Sequence, residues 1–89
     1  MKPSDALAEN RVAIRGIVES HRAQNARVFG SVLHDMDILV DPTPETTLFD
    51  ISAIKRELSE LLGVSVDVLT PNALTEKFRA KVLAEAQPI

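Results

Sequence analysis

Cysteine, tryptophan and tyrosine are absent from the sequence, and three phenylalanines are its only aromatics. Without cysteine there is no disulfide framework, no thiolate metal site and no cysteine nucleophile, which fits a reducing interior and disfavours zinc. Without aromatic platforms, stacking of single-stranded nucleic acid is disfavoured. Positive charge is not in excess either: the formal net charge is −3 and Lys and Arg are scattered. Direct nucleic-acid binding is therefore not expected, and any phosphate has to be held locally or through a metal. No apolar run approaches the roughly twenty residues that span a bilayer, and Met1 to Glu9 lack the apolar centre of a signal peptide, so the expectation is a cytoplasmic protein without a membrane partner.

What remains is an ordinary globular composition, 45% hydrophobic and 26% charged over 89 residues, read as one domain spanning residues 1–89. Leu7, Ile14, Ile17, Val18 and His21 recur at helical spacing and predict a helix from Ser4 to His21. Ala26 to Phe29 reads as a strand that stops at Gly30-Ser31. Asp35 to Val40 alternates as a second strand, with Met36, Ile38 and Val40 on one side and Asp35, Asp37 and Leu39 on the other; Asp41 shapes the Asp-Pro turn that ends it. Leu48, Ile51, Ile54, Leu58, Leu61 and Leu62 trace a helical stripe that Gly63 terminates. Val64 to Leu69 alternates again, valines inward and Ser65, Asp67 and Leu69 outward. Thr70-Pro71 then opens a last helix from about Asn72 to Ala86, whose Leu74, Phe78, Val82 and Ala86 form one inward stripe. The predicted fold class is α/β (α+β): a three-stranded mixed sheet with helices packed on one face and acids on the other.

Asp35 and Asp37 stand two apart on a strand, so both leave the same side, close enough to share one or two cations. Two carboxylates and a triphosphate suit Mg²⁺, a hard cation that prefers oxygen ligands. Asp67 completes the set if the sheet is contiguous, since it points away from the valines of its strand, and it is also placed to take an acceptor's proton. Gly30-Ser31 permits close backbone approach and an anion-binding turn.

Together, Phe29-Gly30-Ser31, Asp35-Met36-Asp37-Ile38-Leu39-Val40 and Val66-Asp67-Val68-Leu69 resemble the glycine-serine, paired-aspartate and third-aspartate signature of the DNA polymerase beta type nucleotidyltransferases. The ending from Asp67 to Ala86 resembles that of the minimal nucleotidyltransferases, which are commonly antitoxins paired with HEPN-domain toxins. The resemblance implies transfer of AMP from ATP to a tyrosine of a partner toxin in a hetero-oligomer. Asp35, Asp37 and Asp67 would ligate Mg²⁺, and Gly30 and Ser31 would hold the triphosphate.

The chain departs from that pattern in one place. The family separates the glycine-serine pair from the first aspartate by a turn and a short helix, whereas here only Val32, Leu33 and His34 intervene. Four peptide steps reach at most about 13 Å, too little for a helix whose amides face a phosphate. A link this short implies the alternative function, a catalytically impaired antitoxin that neutralises its toxin by direct contact. Singly, the acids also fit the solvated side of amphipathic strands. His21 and His34 are assigned no role, and Arg27, Lys55 and Arg79 are read as surface residues unless they approach phosphates.

Overall fold

The computed structural model describes residues 7–29 and 35–89, Asp35 by its backbone. The elements are α1 (Arg11–Ser20), β1 (Ala23–Phe29), β2 (Asp35–Pro42), α2 (Leu48–Leu62), β3 (Ser65–Leu69), a 3₁₀ turn (Pro71–Ala73), α3 (Glu76–Glu85) and β4 (Gln87–Pro88). The strands form one mixed sheet in the order β3-β2-β1-β4. β1 runs antiparallel to both β2 and β4, and β2 runs parallel to β3. A parallel pair needs a crossover, and α2 supplies it.

The second helix stops at Gly63 as its sequence predicts, and its start is capped as well. Thr47 accepts the Asp50 amide through its hydroxyl while Asp50 accepts the Thr47 amide, a reciprocal cap that satisfies two otherwise orphaned donors. At the other end Gly63 takes φ 68°, the left-handed conformation that closes a helix at little cost to a residue without Cβ. Between them Ile54 and Leu58 are fully buried beside Ile14 and Val18 of α1 and Met36, Ile38 and Val66 of the sheet. Alternation in the strands thus selects one apolar side, and two amphipathic helices cover it.

The mixed α/β class holds, with four changes of detail. The helix expected from Ser4 to His21 is interrupted by a turn at Asn10, so α1 begins at Arg11. A fourth strand exists, because Gln87–Pro88 pairs with Arg27 and Val28; two residues ending in proline carry no strand periodicity. The first strand starts earlier, at Ala23, and its register shifts between Gln24 and Arg27, where Asn25 adopts φ 56°. Such a bulge lets the chain pair over a longer stretch than its hydrophobic alternation suggests.

The last helix is the largest difference. Leu74 returns to extended backbone and splits the expected run into the 3₁₀ turn and α3. The Arg79 guanidinium seals the break, its Nε donating to the Pro71 carbonyl at 2.7 Å and its Nη2 to the Leu74 carbonyl at 3.0 Å. Leu74 and Val82 are buried with Phe29 and Leu39, and Ala86 packs against them, whereas Phe78 remains 49% exposed. Helices therefore do not cover one face alone. α1 and α2 lie on the main core, and the C-terminal segment covers the apolar part of the opposite face.

Candidate functional site

The parallel register decides where the acids stand. Asp37 is the ladder partner of Asp67, Asp35 that of Ser65, and Leu39 that of Leu69. Neighbouring strands lie about 4.8 Å apart, so the Asp37 and Asp67 backbones are immediate neighbours. Met36, Ile38 and Val66 are fully buried on the main-core side, so alternation sends Asp37 and Asp67 to the other side together. On its far flank Asp37 pairs with Phe29, giving a row across three strands that reads Phe29, Asp37, Asp67. Phe29 is buried, Asp37 half-buried and Asp67 exposed. The next row is Arg27, Leu39 and Leu69; its two leucines supply an apolar floor beside the acids, roofed by Leu74 and Val82. The contiguity on which the expectation for Asp67 depended is present.

Asp35 occupies the ladder position two residues before Asp37. β1 ends at Phe29 and β2 begins at Asp35, so the acid row lies at the end of the sheet where the chain passes through residues 30–34. Gly30, Ser31 and His34, on which the phosphate-binding expectation and one unassigned histidine fall, lie outside the described residues, as does the Asp35 side chain. Among the described residues no group of three or more candidate metal-binding side chains gathers. The donors that the register brings together among the described residues are carboxylates, a set suited to Mg²⁺ rather than to softer metals.

The basic residues divide by environment. Arg27 is held on this side of the sheet by Asp41, which also accepts from the Asn25 side-chain Nδ2 at 2.8 Å; the Arg27 and Asp41 side chains are 13% and 34% exposed. Arg79 is committed to the backbone of the break before α3. Lys55 is different. Its Nζ lies 3.4 Å from Asp67 Oδ1, with both side chains more than half exposed. Sequence reasoning gave this lysine no partner, because the contact joins a helix to a strand twelve positions later and leaves no periodic trace. The usable signal is its place, next to the buried Ile54 on the crossover helix that leads into the third-acid strand.

His21 sits away from the acid row. It pairs with Glu57, and its Nδ1 is 3.9 Å from Asp50. It thereby ties the end of α1 to α2, a structural role. Arg22 Nη1 reaches the same Asp50 at 3.3 Å. The Thr47 amide, then the Thr47 hydroxyl and the charges of Arg22 and His21, hold the Asp50 carboxyl below its usual value against the opposing effect of burial.

Comparison with known proteins places this geometry. No protein-family model matches the chain. A protein of Methanocaldococcus jannaschii provisionally named protein adenylyltransferase is 36% identical over 77 residues, covering 79% of this chain and 83% of its own. A second from the same organism, with the same provisional name, is 28% identical over 74 residues, covering 75% and 76%. A solved structure described provisionally as a minimal nucleotidyltransferase superposes over the whole chain and 97% of its own, with TM-score 0.87 and 35% identity. The toxin–antitoxin complex MntA–HepT contains a chain with the same fold, at TM-score 0.68 and 18% identity, over 92% of this chain and 68% of that one. The ordered aspartates on adjacent parallel strands, the fold and these relatives agree: the chain belongs to the minimal nucleotidyltransferase family of protein adenylyltransferases.

Proposed function

We propose that the chain is an antitoxin that transfers AMP from ATP to a tyrosine of a partner HEPN toxin, with Mg²⁺ held by Asp35, Asp37 and Asp67 and the triphosphate by Gly30 and Ser31. The observation that carries the reading is the in-register pairing of Asp37 with Asp67, which puts two carboxylates side by side on an otherwise largely apolar stretch of sheet. The cation supplies charge neutralisation for a polyphosphate. In nucleotidyl transfer the protein mainly aligns reactants and stabilises developing charge. Asp35, Asp37 and Asp67 hold the charge in place, Asp67 also stands where an acceptor hydroxyl's proton can be received, and Phe29, Leu39 and Leu69 keep one flank of the acids dry. The toxin partner is supported by the fold shared with the MntA–HepT complex.

A second reading has its own support. Only three residues separate Ser31 from Asp35. A link this short favours an antitoxin that acts by contact. Co-expression with the cognate toxin separates the two: an Asp35→Asn, Asp37→Asn double variant that stays folded and loses neutralisation supports the enzyme, and one that still neutralises fully supports the contact mechanism.

A further inference from the structure

Lys55 stands on α2, the helix packed over the main core, yet its ammonium reaches the opposite side of the sheet. It can do so because β3 is an edge strand, and a four-carbon stem extends round that edge with the charged head in water. There it meets Asp67 Oδ1 at 3.4 Å, the side chains being 55% and 57% exposed. Asp67 is the ladder neighbour of Asp37, and two carboxylates about 5 Å apart repel unless a cation is shared between them or bound beside them.

We propose that Lys55 is a resident counter-ion for Asp67: a positioning residue that holds the third carboxylate while no metal is bound, competes with the incoming divalent cation, and so sets how readily the site loads. The inference rests on the metal role given to these acids above. An ammonium is a compact point charge on a flexible stem, and an exposed pair of this kind contributes little. Lys55 is therefore a placeholder that yields to a divalent ion. A fork-shaped guanidinium, partly buried and braced as Arg27 is on Asp41, would not yield in this way.

Calorimetric titration of the full chain with Mg²⁺ alone, without nucleotide, tests this. Lys55→Met is expected to bind Mg²⁺ about two- to fivefold more tightly than wild type, the range that corresponds to an exposed ion pair. Lys55→Arg, which keeps the competing charge, should bind Mg²⁺ no more tightly than wild type. Arg56→Gln, which removes a neighbouring charge from the same helix, should change affinity far less than Lys55→Met. In an Asp67→Asn background Lys55→Met should give no gain, because the competed carboxylate is gone. Unchanged or weaker binding by Lys55→Met, or an equal gain from Arg56→Gln, overturns the proposal alone. A folded wild type that binds no divalent cation overturns both the proposal and the reading beneath it.

Discussion

Asp41 and Asp67 leave the same side of one sheet and meet opposite fates. Asp41 is enclosed by Arg27 and the Asn25 side-chain amide, its charge spent on fastening the bulged start of β1 to the end of β2. Among the described residues Asp67 faces one exposed lysine across the sheet edge, and it stands beside Asp37. Charge and residue type are identical, so the difference lies in neighbours. A carboxylate satisfied by a planar fork and a second donor is structure, and one opposed by an exposed ammonium beside another carboxylate is available to a ligand. The same contrast runs through the two sides of the sheet, one sealed by α1 and α2, the other apolar only where Leu74 and Val82 cover Leu39.

The sharpest way to break this comparison is to neutralise each acid. Asp37→Asn or Asp67→Asn is expected to reduce nucleotidyl transfer about 100-fold or more, while unfolding by denaturant shifts by no more than about 0.5 kcal/mol for the exposed Asp67. A change on the sealed side should do the reverse: Leu58→Ala, at a fully buried position, should cost about 2–5 kcal/mol of stability in the same denaturant titration and leave the residual folded enzyme active. Asp41→Ala should cost about 1–2 kcal/mol, because it strands the mostly buried Arg27 guanidinium, and should leave Mg²⁺ affinity near wild type.

The smallest effect concerns Asp50. Its folded carboxyl titrates below the unfolded one, chiefly because it accepts the Thr47 amide. The stabilisation it contributes is present above the ordinary carboxylate pKa and is lost as pH falls through the lowered folded value. Thermal melts between pH 7 and about pH 3 should show a shallower acid-side decline for Asp50→Asn than for wild type; parallel declines would remove Asp50 from the acid response.

What was legible in the sequence follows from where local rules and tertiary packing agree. The helix that Gly63 ends carries its stripe and its stop signal locally, and the structure keeps the helix and the stop, with Ile54, Leu58 and Leu62 buried while Leu48 and Leu61 stay exposed. The placement of Asp67 beside Asp37 was legible as a conditional, since alternation fixes the side of a strand but only pairing fixes its neighbour. The break at Leu74 was not legible: Leu74, Phe78 and Val82 share a helical spacing, and only the demand of Phe29 and Leu39 for cover pulls Leu74 out of that stripe. β4 was hidden because two residues have no period. The Lys55 contact was hidden because it depends on β3 lying at the sheet edge, which no linear spacing encodes.

The proposed chemistry of the acid row on a partner protein is open to a direct test. Its most direct measurement is the intact mass of the cognate toxin after incubation with ATP, Mg²⁺ and either the wild-type chain or Asp37→Asn. The account predicts a toxin heavier by one or more AMP units with wild type and of unchanged mass with the variant. A toxin that is fully neutralised by the wild-type chain yet keeps its original mass would contradict it and make contact the mechanism.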